Sequence, residues 1–335
     1  MKFLRDRILR HQYHKMRAAV YNKYGPPEVV KLVEVDRPLP RSNEVLVKVY
    51  ATTVNRTDCG FRSAEYFISR FFSGLFKPKF GILGNEFAGI IEAVGKDVTL
   101  LNIGDKVFGY NDTKFGAHAE YMTIAETDAI TTIPNDVTFE QAAPITEGAH
   151  YALCDIRAAK IKSGHNVMIY GASGAIGSAA VQLIKNYDAK VTAVCSTQNV
   201  EVVKSLGADQ VIDYITQDFT KIDQKFDFIF DAVGKSSFRQ CKTLLKKNGT
   251  YISTELGKNY ENIFLALLTP LFRGKKVLFP LPTIKKEDVI LLKKLVESGK
   301  YKPLVDRSYH LDKIVDAYKY VETRQKVGNV VITLT

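Results

Sequence analysis

The chain has 335 residues, 46% of them hydrophobic and 25% charged, with a formal net charge of +11. That length exceeds what one core usually organises, so two domains are expected, and the composition is that of a globular protein. No apolar run reaches the roughly 18 residues of a membrane span, no signal-peptide pattern is present, and Cys59, Cys154, Cys195 and Cys241 are too scattered for a disulfide framework, which points to a reducing cytoplasm.

The basic excess is densest at the start, where Lys2, Arg5, Arg7, Arg10, Lys15 and Arg17 face only Asp6. A solvated basic extension is expected over residues 1–15. A membrane-surface helix using Phe3, Leu4, Ile8 and Leu9 and a targeting peptide remain alternatives.

Strand patterns follow. Val45–Val49 is β-branched and apolar after the polar turn Arg41-Ser42-Asn43, and Gly89–Gly95 and Asp105–Gly109 are short apolar runs bounded by glycine. Residues 17–135 thus read as mostly β. Within them, Phe67, Ile68, Phe71, Phe72, Leu75, Phe76 and Phe80 recur at helical spacing. That spacing predicts one apolar helix face over 66–80, packed on the core or walling a substrate cleft.

From Thr138 the pattern changes. Thr138 and Gln141 form a capping-box signature for a helix toward Ala158. Strands are then expected at 167–170, 190–195, 210–213, 226–231 and 249–253, alternating with helices at 176–186, 200–206 and 238–245. Such alternation implies a parallel sheet covered on both faces. An edge strand at 277–279, helices at 284–297 and 312–323 and a strand at 329–334 complete the chain. The expected domains are 16–137 with 276–335, and 138–275.

Tyr170-Gly171-Ala172-Ser173-Gly174-Ala175-Ile176-Gly177 carries the strongest chemical signal. It leaves a buried strand and opens a helix, the context in which three spaced glycines bring backbone amides and a positive helix end to a diphosphate. Ala172, Ser173, Gly174, Ala175, Ile176 and Gly177 are therefore expected to bind a dinucleotide. At the end of the next strand stands Cys195-Ser196-Thr197-Gln198-Asn199, where NAD sites usually place a carboxylate. Hydroxyls and amides there favour NADPH, with NADH possible.

These residues, with Val54–Asp58, Leu83–Gly89, Gly104–Gly109, Gly116–Tyr121, Leu206–Asp209, Ile212–Tyr214 and Phe230–Gly234, resemble the medium-chain dehydrogenase/reductase superfamily, in its zinc-free quinone oxidoreductase-like branch. The resemblance spans 16–335 and places the expected start of the chain near Met16. It implies a GroES-like, mostly β catalytic domain, a Rossmann nucleotide-binding domain and a cofactor cleft between them. It further implies that Asn55 positions nicotinamide or substrate, that Ser196 and Tyr214 meet the 2′-phosphate with Thr197 and Asn199 beside them, and that Ala232, Val233, Gly234 and Leu256 lie near the nicotinamide ribose. Two positions depart from the pattern: relatives carry lysine near Asn199 and threonine near Gly148.

Zinc-dependent members of that superfamily have histidine where this chain has Asn85, in Gly84-Asn85-Glu86, and a cysteine cluster that is missing here. No metal is therefore expected, Cys59 reads as a small buried residue and Glu86 as a structural hydrogen-bonding group. Without a Lewis acid, acceptors that delocalise the incoming charge fit best, namely quinones and α,β-unsaturated carbonyls. Tyr66 and His150 are candidate proton donors, against packing for Tyr66 and a helix-surface place for His150. A zinc-independent alcohol or ketone reductase, a non-catalytic nucleotide- or RNA-binding protein and a methyltransferase are the rival readings. The expected partners are a small electrophile and a second copy of the chain, and neither a membrane span nor nucleic acid is expected.

Overall fold

The computed structural model describes residues 15–65 and 70–334. Residues 1–14 of the basic extension, together with Tyr66, Phe67 and Ile68, lie outside the described residues. The strands, in chain order, are β1 (Lys15–Val20), β2 (Lys31–Asp36), β3 (Glu44–Val54), β4 (Glu86–Val94), β5 (Lys106–Tyr110), β6 (Tyr121–Ala125), β7 (Ile130–Thr132), β8 (Asn166–Tyr170), β9 (Lys190–Cys195), β10 (Gln210–Asp213), β11 (Phe226–Asp231), β12 (Leu245–Ser253), β13 (Lys276–Leu278), β14 (Val305–His310) and β15 (Asn329–Thr333).

The chain forms two compact units, 1–144 with 285–293 and 305–335, and 145–284 with 294–304. In the first, β14-β15-β3-β4-β5-β7 make one sheet in which β6 also pairs with β3, while β1 and β2 form a separate antiparallel pair. The long strand β3 is buried along nearly its whole length because β4, β6 and β15 all pair with it antiparallel. Val47, Phe87, Ile91, Val107, Ile130 and Ile332 form the core, onto which Ile314, Tyr318 and Val321 of the helix Ile314–Glu322 pack. Removing such large apolar groups from water stabilises by about 1.5–3 kcal/mol each.

In the second unit, β10-β9-β8-β11-β12-β13 form a wholly parallel sheet. Val167, Met168 and Ile169 of β8 are all fully buried, as a parallel strand covered on both faces requires. The order reverses direction between β8 and β11, so the C-terminal end of β8 is the switch point at which such sheets bind ligands.

The edge strand β13 pairs with β12, so it belongs with the parallel sheet, whereas the expected boundary put it with the first domain. The Thr138 capping box forms as predicted, yet its helix stops at Ala142 and a second helix runs Glu147–Ala159 after Pro144.

The helix expected over 66–80 is not continuous. Among the described residues only Arg70–Ser73 is helical. Gly74 then takes φ +118°, and a Cβ there would sit 2.1 Å from the Lys77 carbonyl oxygen, so the chain turns sharply. Phe76 is left 92% exposed, while Phe80 packs with Phe61 and Phe115 at ring distances of 6.4 and 5.2 Å. No helix among the described residues is long and apolar enough to cross a membrane.

Candidate active site

In the second unit the site begins where β8 ends. Gly171 takes φ +79°, and a Cβ there would meet the Val233 side chain at 2.6 Å. At Gly177 a Cβ would meet the Gly171 carbonyl oxygen at 2.2 Å, so the helix Ala175–Lys185 can start this close to the strand only with glycine. Gly174 differs. Its φ is −76°, and an added Cβ finds nothing nearer than 3.5 Å. The fold therefore tolerates a side chain at 174 and requires glycine at 171 and 177. Gly174 is the N-cap of the helix and brings no side-chain cap, so the first amides have no acceptor within the helix.

Gly148, unusual against the family pattern, has a packing reason. It lies where the helix Glu147–Ala159 meets the start of Ala175–Lys185, and a Cβ would come 2.4 Å from the Ala175 carbonyl oxygen.

Beside the turn, the Asn199 side-chain amide donates to Ser173 Oγ at 3.1 Å and to Ser196 Oγ at 3.0 Å. Tyr214 follows β10, its amide donating to the Cys195 carbonyl at 3.0 Å, and its ring stacks on Tyr170 with centroids 6.1 Å apart. Thr197 is engaged elsewhere: its hydroxyl donates to Asp213 Oδ2 at 2.7 Å. The end of β9 bears no acid of its own, but β10 brings one beside it. Bonds from the Thr197 hydroxyl, first in importance, and from the Ile215 amide hold the Asp213 carboxyl below its usual range.

The loop Ala232-Val233-Gly234 is shaped by a residue that periodicity did not single out. Buried Asp231 accepts from the amides of Val233, Lys235 and Ser236 and from the hydroxyls of Ser236 and Tyr251. Leu256, half-buried, accepts the Asn262 amide through its carbonyl. His150 is not on a helix surface. It is 3% exposed, and since a carbonyl can only accept, its Nδ1 donates to Thr146 O at 3.2 Å.

In the first unit, Asn55 caps the helix Arg56–Ser63 in a reciprocal box with Asp58. The remaining reach of its side chain goes to Asn85: Nδ2 donates to Asn85 Oδ1 at 2.7 Å, and Asn85 Nδ2 donates to Tyr110 Oη at 2.9 Å. All three are buried. Glu86 accepts from the Thr53 hydroxyl at 2.6 Å. His118 Nε2 donates to Thr53 O at 2.8 Å, and burial lowers its pKa to about 4. Burial raises Asp58 to about 7 although the Asn55 and Gly84 amides oppose it. Tyr110 and His118 are parts of this cluster that spacing alone could not find, because they come from distant segments.

Residues 41–135 match the alcohol dehydrogenase GroES-like domain, and 206–332 match a zinc-binding dehydrogenase family. A 2-methylene-furan-3-one reductase of Solanum lycopersicum is 31% identical over 330 residues, 95% of this chain and 79% of that protein. An NADPH-dependent alkenal/one oxidoreductase, chloroplastic, of Arabidopsis thaliana is 31% identical with the same coverage. The quinone oxidoreductase structure from Coxiella burnetii superposes with a TM-score of 0.86 at 30% identity, covering 96% of this chain and all of that one.

The chain belongs to the medium-chain dehydrogenase/reductase superfamily, in its quinone oxidoreductase-like branch. It is an oxidoreductase by that membership, and its two units are the GroES-like and Rossmann domains of the superfamily.

Proposed function

We propose that this oxidoreductase uses NADPH, without zinc, to reduce a quinone or an α,β-unsaturated carbonyl. The observation that carries the nucleotide part is the turn at the end of β8. Glycine is enforced by packing at 171 and 177, and at 174 by nothing within the protein, which leaves room for a diphosphate over the open amides. Ala172–Gly177 would hold the diphosphate, Ser196 and Tyr214 the phosphorylated ribose with Thr197 and Asn199 alongside, and Ala232, Val233, Gly234 and Leu256 the nicotinamide end. When bound, the reduced nicotinamide supplies the hydride.

The zinc that one family description implies does not suit the residues present. At the expected histidine stands Asn85, whose side chain is bonded to Asn55 and Tyr110. Cys59 is buried in the apolar core of the first unit. Without such a Lewis acid, a simple ketone is a poor acceptor and a conjugated one a good acceptor. The relatives named for alkenals, a methylene-furanone and quinones support the same class. The same reading has Asn55 as a positioning residue and a homodimer formed beside the edge strand β13.

The test is NADPH oxidation with a quinone, an enal and a simple ketone, with and without a chelator. Turnover of the first two, insensitive to chelation, is expected. Turnover of the ketone alone would favour the alcohol or ketone reductase, and chelator-sensitive turnover would restore zinc.

A further inference from the structure

Asn199 has an unusual place. It is 8% exposed, yet it sits between two partly exposed serines from different segments, one in the glycine turn and one at the end of β9. Its single amide nitrogen reaches both, Ser173 Oγ at 3.1 Å and Ser196 Oγ at 3.0 Å, one hydrogen to each. A hydroxyl that accepts from the amide keeps its own proton to donate. Asn199 thereby turns two side chains into outward donors at once. Its backbone amide, donating to Ser196 O at 2.9 Å, fixes the turn that carries it.

Thr197, the other hydroxyl of this turn, is spent on Asp213. Asp213 pairs in register with Cys195, the residue before Ser196. A carboxylate so placed disfavours a phosphate nearby, and Asn199 brings no compensating cation. Of the hydroxyls on this turn, the one left for an anion is Ser196, which Asn199 holds.

We infer that Asn199 is a positioning residue that sets the preference for a 2′-phosphorylated adenine ribose, acting through Ser173 and Ser196 and not by touching the phosphate. Ser173 serves the diphosphate and Ser196 the ribose phosphate, so one amide couples the two anion subsites. This inference rests on the proposed use of a nicotinamide dinucleotide.

Dissociation constants for NADPH and NADH, read from the fluorescence of the bound reduced ring, test it in the wild type, Asn199→Leu, Ser196→Ala and the double variant. Removing both hydrogen bonds predicts a loss of about tenfold for NADPH in Asn199→Leu, with NADH changed by less than about threefold. Ser196→Ala should add little once Asn199 is gone, because interacting sites are not additive. Asn199→Asp keeps the size, accepts from both hydroxyls and turns their protons inward; it is expected to lose NADPH more strongly than Asn199→Leu and to spare NADH. This second variant also guards against misfolding of the first.

An unchanged NADPH-to-NADH ratio in both Asn199 variants, or full additivity with Ser196→Ala, would overturn the inference while leaving the dinucleotide reading intact. A wild type that binds neither reduced dinucleotide would overturn the reading itself.

Discussion

Asn55 Nδ2 lies 2.7 Å from Asn85 Oδ1, and both amides of this pair are buried. The pair continues to Tyr110, so the cluster is a hydrogen-bonded chain of neutral groups. Asn85→Leu removes the acceptor of Asn55 and the donor to Tyr110 in a buried site, at a cost of about 1–3 kcal/mol per stranded group. Thermal unfolding should shift down by several degrees. With Asn55 no longer oriented, kcat should fall while the dissociation constant for NADPH stays within about twofold. A variant with wild-type Tm and kcat would show that the chain is incidental.

The three glycines of the turn separate structure from binding. Gly177→Ala puts a Cβ 2.2 Å from the Gly171 carbonyl, and the strand-to-helix junction must open. Gly174→Val meets ordinary contacts at its Cβ and keeps the fold. Far-ultraviolet dichroism and melting should therefore report damage in the first and almost none in the second. NADPH affinity should drop in both, by tenfold or more in Gly174→Val. Retention of full affinity by a folded Gly174→Val protein would remove the diphosphate from this turn.

A pH dependence follows from His118. Its folded pKa is lowered from 6.5 to about 4 by burial, so the unfolded chain takes up the proton first as pH falls. Stability from this residue is present above pH 6.5 and is lost between 6.5 and 4, amounting to about 3 kcal/mol. Asp58, with Oδ2 3.9 Å from His118 Nε2, runs the other way. Its pKa is raised from 3.8 to about 7, so its contribution is present below 3.8 and lost as pH rises through 7. Comparing wild type with His118→Gln isolates the histidine: denaturant midpoints should converge as pH falls from 6.5 to 4. Parallel curves would place His118 outside the acid response.

Much of this was legible in the amino-acid sequence, for identifiable reasons. Strands β10 and β11 match the expected 210–213 and 226–231, because β-branched and aromatic runs bounded by turn residues leave little choice. The glycine turn was legible because packing at Gly171 and Gly177 demands it. The 66–80 segment was not, since helical spacing says nothing of Gly74 at φ +118°, where the turn against Lys77 overrides it. Nor were the Asn199 clamp, Asp213 beside Thr197, or Tyr110 against Asn85 legible, because each joins segments that only the folded sheet brings together.

An exposed apolar segment lies beside the edge strand β13. Among the described residues β13 is the final strand of its sheet and pairs with β12, while on its outer side the Val277 amide donates to the Thr269 hydroxyl at 2.9 Å. Just before it, Phe264, Leu267, Leu268, Leu271 and Phe272 are 60%, 68%, 52%, 76% and 68% exposed. A contiguous exposed apolar segment beside this edge strand suits a two-fold contact, in which the same surface meets itself and is covered. A stable interface buries about 1,600 Å² in total, so a few buried side chains dominate its energy. Sedimentation should give a dimer for the wild type. Leu267→Glu with Phe272→Glu should give a monomer that still melts cooperatively, since neither side chain belongs to the buried core. A monomeric wild type at micromolar concentration would leave this surface without its second copy.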